Sequence, residues 1–160
     1  MSMRFLGTTE ARIDAKGRAF LPATFRRVLQ ASGEERVVMR RDVFQPCIVL
    51  YPETVWNEQM DHLRARLNRW NQAHQAIFRQ FVADAEVLVI DSTGRILLPK
   101  RHLERLGADR DIAFIGMGDT IEIWSANRAA EPFVPAAEFG EALQSLMGGT
   151  TENADETAQK

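Results

Sequence analysis

Ile13-Asp14-Ala15-Lys16-Gly17-Arg18-Ala19-Phe20-Leu21-Pro22 occurs a second time, with changes, as Ile90-Asp91-Ser92-Thr93-Gly94-Arg95-Ile96-Leu97-Leu98-Pro99. The offset is a constant 77 positions and six of the ten residues are identical. Leu29 and Leu106 keep that offset. Further on, Ile48-Val49-Leu50-Tyr51 resembles Ile121-Glu122-Ile123-Trp124 in a slightly shifted register. An internal repeat bounds the fold before any single element does.

Each copy reads the same way. A short strand enters Asp-x-x-Gly-Arg. Gly17 and Gly94 stand where a tight turn needs positive φ, and Asp14 and Asp91 can accept backbone N–H groups inside it. A second strand follows, Arg18 to Leu21 and Arg95 to Leu98. Pro22 and Pro99 suit the first position of a short helix. The first helix runs to about Gln30, with Gly33 as a stop. The second runs to Leu106, with Gly107 in the C′ position. Strands at Val37 to Arg40 and Ile48 to Tyr51 complete the first copy. Ile112 to Ile115 and Thr120 to Trp124 complete the second, with Gly116-Met117-Gly118-Asp119 as the turn between. A β-turn-β-α-β-β unit of this size buries too little surface alone, so the two copies should share one core.

The organisation that follows is 4–53 for the first unit, 54–83 for a helical insert, 84–126 for the second unit, 127–147 for a C-terminal helix and 148–160 for a disordered tail. Trp56, Met60, Leu63 and Leu67 line one face of a helix over Glu53 to Arg69. Asn71 N-caps a second helix that buries Ile77, Phe78, Phe81 and Val82. Ala136 to Met147 forms a helix after Pro135 that buries Phe139, Leu143 and Leu146. Beyond Thr150 no large apolar residue remains.

The charge is uneven. The whole chain carries −2, but residues 1–41 hold nine Lys and Arg against four Asp and Glu, a net of +5. From Ser125 onward two basic residues face six acidic ones, a net of −4. This balance argues against a nonspecific nucleic-acid coat and leaves room for a local basic face, because exposed charges are screened beyond about 8 Å. No apolar run is long enough to span a membrane, and Met1 to Glu10 shows no apolar h-region or small-residue cleavage site, so no signal peptide is expected. Cys47 is the only cysteine, and the expected location is the cytoplasm.

Enzyme chemistry finds no constellation. His62, His74 and His102 lack metal-ligand spacing, Cys47 sits in an apolar strand, and Gly116-x-Gly118 is no phosphate loop. Asp14 and Asp91 read as turn formers rather than a carboxylate pair. No cofactor or metal is expected. Arg18 and Arg95 have two readings: ion pairs to Asp14 and Asp91, or recognition of phosphate and guanine through the planar guanidinium fork. Lys16 makes the first copy more basic. Thr93 replaces it in the second and leaves a hydroxyl for phosphate, with Lys100 and Arg101 nearby to compensate.

The two Asp-x-x-Gly-Arg motifs, Leu50-Tyr51-Pro52 before a helix, and Glu122-Ile123-Trp124, in this order over residues 4–147, resemble the MraZ family. The family's usual Met-Phe-Arg-Gly start reads Arg4-Phe5-Leu6-Gly7 here. The resemblance implies an α+β fold of tandem SpoVT-AbrB-type units, related to the AbrB-like swapped-hairpin β-barrel, with flanking helices. It implies a ring homo-oligomer that binds repeated double-stranded promoter elements upstream of a cell-division and cell-wall gene cluster, its own gene included. It implies transcriptional regulation and association with the nucleoid. Repression is the simplest output. Carried over residue by residue, it makes Lys16, Arg18, Arg95 and Arg12 the DNA contacts, and Asp14, Gly17, Asp91 and Gly94 the turn-structural set. The two turns are expected side by side on one face of a shared barrel. The competing reading is an AbrB-like protein-interaction module of the antitoxin kind. The helical insert and the lack of a long wrapping tail argue against it.

Overall fold

The computed structural model describes residues 4–149. The first copy comprises β1 (Thr8–Arg12), β2 (Arg18–Phe20), α1 (Ala23–Ala31), β3 (Arg36–Arg41) and β4 (Ile48–Pro52). Two helices, α2 (Glu53–Ala65) and α3 (Gln72–Ala83), form the insert. The second copy repeats the series as β5 (Glu86–Val89), β6 (Arg95–Leu97), α4 (Lys100–Leu106), β7 (Asp111–Gly116) and β8 (Ile121–Ser125). A short α5 (Ala126–Ala129), α6 (Ala136–Gln144) and a π turn at Ser145–Gly149 follow. The fold is mixed α/β with antiparallel pairing throughout.

Strand order in the six-stranded sheet is β1-β7-β8-β4-β3-β5, and β2 pairs with β6 in a separate ribbon. The order is palindromic: exchanging equivalent strands of the copies reverses it. Each copy's leading strand therefore pairs in the other copy. β1 lies on β7, with Glu10 opposite Ala113, and β5 lies on β3, with Leu88 opposite Val37. β4 and β8 join the halves at the centre, with Ile48 opposite Ile123.

The core is common property. Phe5, Ile13, Phe25, Leu29, Met39 and Leu50 from one copy bury with Ile96, Leu98, Ile112, Phe114, Ile121 and Ile123 from the other. Phe5 meets Phe25 edge-on, with ring centroids 5.7 Å apart. Truncating a core leucine such as Leu50 to alanine would cost about 2–5 kcal/mol and weaken both copies at once.

Both repeat helices begin one residue after the proline, which sits at the N-cap. Gly107 ends α4 in the left-handed conformation (φ +64°). The first insert helix stops at Ala65, short of Arg69, because asparagine side chains offer the backbone another set of partners. Asn68 Oδ1 accepts from Trp70 N–H at 2.9 Å and Asn71 Oδ1 from His74 N–H at 3.1 Å, so Asn71 does cap α3. Phe81 stacks on Trp56 at 5.2 Å and Phe78 lies under the Arg64 guanidinium at 3.9 Å, but Ile77 faces solvent.

The chain divides into two compact units at Arg128/Ala129. In the second, the expected helix from Ala136 to Met147 was to bury Phe139, Leu143 and Leu146, but Phe139 and Leu143 on α6 and Leu146 in the π turn are 55%, 45% and 65% exposed. Among its described residues this unit holds only the end of α5, α6 and the π turn, too little to cover an apolar helix face. The residues of the expected tail from Thr150 onward lie outside those described. No described helix is long and apolar enough to cross a membrane.

Candidate nucleic-acid interface

Asp14 organises the first turn. Its Oδ1 accepts the N–H groups of Lys16 (2.9 Å) and Arg18 (2.8 Å), and its Oδ2 accepts Arg18 Nε at 2.8 Å. Gly17, at φ +84°, donates its N–H to the Asp14 carbonyl. Asp91 repeats this around Gly94 at φ +90°. Its Oδ1 accepts from the N–H groups of Thr93 (2.9 Å) and Arg95 (2.8 Å), and its Oδ2 from Arg95 Nε at 3.0 Å. The N–H donors, the Thr93 hydroxyl in the second turn and the arginines hold both carboxyls below the usual carboxylate range.

The turns are tied crosswise. Leu98 N–H donates to the Gly17 carbonyl at 2.8 Å, and Leu21 N–H donates to the Gly94 carbonyl at 2.9 Å. Arg18 stands opposite Leu97 and Phe20 opposite Arg95 in the β2–β6 ribbon. One turn thus sits at each end of the ribbon rather than beside the other. Ala19 and Ile96 point into the core, so Arg18, Phe20, Arg95 and Leu97 share the outer face. Diagonal neighbours of this kind lie roughly 7–8 Å apart at the backbone.

The ion-pair reading of Arg18 and Arg95 holds, but it uses only Nε. Their side chains keep 32% and 29% exposure, and their terminal Nη groups make no hydrogen bond within the described residues. Lys16 is exposed, with its ammonium free of partners among the described residues. Arg12 extends from β1 and meets Asp111 at 3.5 Å, both largely exposed. Thr93 departs from expectation: its hydroxyl donates to Asp91 Oδ1 at 2.8 Å, so its one hydrogen is not available to a phosphate. Arg101 is held by Glu86 at 2.9 Å, while Lys100 is exposed.

Sequence reasoning missed Arg26. It lies on α1, yet its guanidinium covers Gly94 of the other copy, where an added Cβ would stand 2.4 Å from Nη1. Nε donates to the Leu21 carbonyl at 3.0 Å. The residue at the same repeat position, Leu103, reaches toward Gly17. The 77-residue offset pairs the two positions, but only the β2–β6 pairing shows that each faces the opposite turn.

Other chemistry is sparse among the described residues. No cluster of three His, Cys, Asp or Glu could hold a metal. Cys47 is buried, and burial pushes its thiol far above the ordinary range, which suits a small core residue.

These features define a duplicated mixed α/β protein headed by two Asp-x-x-Gly-Arg turns, whose arginines share the outer face of one ribbon. The family described as MraZ protein, antitoxin-like, matches residues 4–80 and 81–128. A "Transcriptional regulator MraZ" from Bacteroides thetaiotaomicron is 59% identical over 91% of this chain and 93% of its own length. Its counterpart from Phocaeicola vulgatus is 56% identical over 91% and 95%. One from Anaeromyxobacter dehalogenans is 36% identical over 84% and 92%. The chain belongs to the MraZ family, a family of regulators and not of enzymes.

Proposed function

We propose that this chain is a sequence-specific DNA-binding transcriptional regulator whose reading head is the β2–β6 ribbon with its two turns. The observation that carries it is the pairing of Arg18 and Arg95 on one face, each pinned through Nε and open at Nη. A major groove admits a two-stranded ribbon, and a pre-oriented fork suits guanine or phosphate. Lys16 and Arg12 add phosphate contacts at the first turn. The family assignment supports the same reading.

The finer parts of the proposal are these. The exchange of β1 and β5 and the β2–β6 pairing support a swapped-hairpin barrel of the AbrB kind. The uncovered apolar face of α6 supports self-association, and a ring would engage several promoter repeats at once through avidity. The target is the upstream region of its own gene within a cell-division and cell-wall cluster, the output repression, and the location the nucleoid.

The test is binding to that upstream region across a salt series, for wild type, Lys16→Ala and Arg18→Ala, each checked for fold and oligomeric state. A steep salt slope that Lys16→Ala lowers and Arg18→Ala largely abolishes is expected. Wild type that ignores this DNA, yet captures a protein from nuclease-treated lysate, would put the antitoxin-like interaction reading in its place.

A further inference from the structure

The two turns differ in where a cation can come from. The first has Lys16 in its own loop. The second has Thr93 there, with its hydroxyl turned inward to Asp91. Within the second loop nothing replaces the charge, since Ser92, Thr93 and Gly94 are all neutral.

Arg26 fills this gap from the other copy. Its guanidinium rests on the backbone of Gly94, a position that only a residue without Cβ leaves open. Its Nε is fixed by the Leu21 carbonyl, and Leu21 itself donates to the Gly94 carbonyl. The side chain is therefore pre-oriented at the turn, and its Nη groups make no ion pair among the described residues. They line an open cleft of about 360 Å³ together with Asp91, Ser92 and Gly94. Glu34 and Glu35 line the same cleft without pairing to Arg26, and their charges oppose an anion that enters it, so the phosphate contact rests on Arg26 alone. At the first turn the equivalent position is apolar Leu103, where Lys16 already supplies the charge.

We propose that Arg26, delivered by the first copy's helix, is the phosphate-binding cation of the second turn, so that each turn presents one free cation beside its aspartate-pinned arginine. This inference rests on the DNA-binding reading above. It predicts that the positive charge can be moved between two residues far apart in sequence without loss of function.

The experiment measures binding of the full-length protein to the duplex upstream of its own gene across a salt series. Arg26→Leu copies the residue found at the equivalent position. It should keep the fold and lower the magnitude of the slope of log K against log salt by about 0.9 for each phosphate that is no longer neutralised. Adding Thr93→Lys should restore the slope. A folded Arg26→Leu protein with unchanged slope overturns the proposal, as does failure of Thr93→Lys to restore it. If Arg26→Leu does not fold, phenylglyoxal modification of wild type decides: DNA protects Arg26 if it binds phosphate, and leaves it reactive if it only supports Gly94. Wild type that binds no DNA at all would remove the reading beneath, a result distinct from either.

Discussion

The first Asp-x-x-Gly-Arg turn carries an exposed Lys16 and is backed by Leu103, whereas the second carries Thr93 and is backed by Arg26. The same contrast runs into the helices, where Phe25 in the first copy packs on Phe5 and His102 in the second lies fully buried with neither ring nitrogen hydrogen-bonded. Aspartate, glycine and arginine are common to both turns because the geometry needs them. What differs is charge: Lys16 against Thr93 in the loops is met by Leu103 against Arg26 behind them, whereas Arg12 against Val89 is not compensated. The copies are alike as scaffold and unlike as surface, which suits a module that meets an asymmetric partner.

The glycines offer the sharpest way to break the likeness. Gly17→Ala must place a Cβ 2.9 Å from the Leu98 carbonyl oxygen, a backbone atom, whereas the three atoms nearest a Cβ on Gly94 belong to the Arg26 guanidinium, which can swing away by giving up its bond to the Leu21 carbonyl. Both substitutions also hold alanine at positive φ, which costs about 1–2 kcal/mol. Gly17→Ala should therefore lose about 2–4 kcal/mol in denaturant unfolding, once the backbone clash is added. Gly94→Ala should stay near 1–2 kcal/mol while displacing Arg26 and lowering the salt slope of DNA binding. Equal losses would mean that the turns are interchangeable and that the crosswise packing contributes nothing to their difference.

Much of this was legible in the sequence because the repeat fixed it. The turns, the strand and helix order and the capping Asn71 follow from residues whose local chemistry has few alternatives. The strand exchange was not legible in the residue pattern, which left it to the resemblance alone, since β1 could satisfy its ladder on β3 or on β7 with the same alternation of side chains. The site inherited that blind spot: Arg26 and Gly94 are neighbours because β2 pairs with β6 of the other copy and Leu21 N–H meets the Gly94 carbonyl. The free hydroxyl expected of Thr93 failed because Asp91 Oδ1, two residues away in the same turn, already accepts its one hydrogen. The buried face expected of α6 failed because periodicity marks an apolar stripe and not the surface that covers it.

His102 tests the comparison through pH. Burial and the neighbouring Arg101 lower its pKa, with Asp84 and Arg41 close by, and Glu86 Oε2, at 3.9 Å from Nε2, opposes the shift without reversing it. In the unfolded chain a histidine titrates near 6.5. Between its lowered folded value and that point the unfolded state holds the extra proton, so stability falls as pH drops below about 6.5. Asp14 and Asp91 act in another window. Their depressed values add stability above about pH 4, lost only as pH falls through their folded values. His102→Phe, which installs the first copy's residue, should gain about 1 kcal/mol at neutral pH by removing two unsatisfied nitrogens. Urea midpoints for the variant should be flatter between about pH 6.5 and 5 than those of wild type. A variant that kept the wild-type slope would place the acid sensitivity elsewhere.

The smallest effect on stability separates scaffold from surface most cleanly. Arg12 and its counterpart Val89 precede the two turns at the same repeat position, and both are exposed. The Arg12–Asp111 pair spans 3.5 Å with side chains 76% and 71% in solvent, so Arg12→Ala should shift unfolding by less than about 0.5 kcal/mol. If Arg12 binds phosphate beside Lys16, the same variant should still lower the salt slope of DNA binding by about 0.9, the share of a single phosphate. Val89→Arg should raise it, by giving the second turn the flanking charge it lacks. Opposite shifts in the two variants would place the strand ends inside the reading head. No shift in either would confine recognition to the turns themselves and leave Arg12 as a residue that keeps an exposed edge strand soluble.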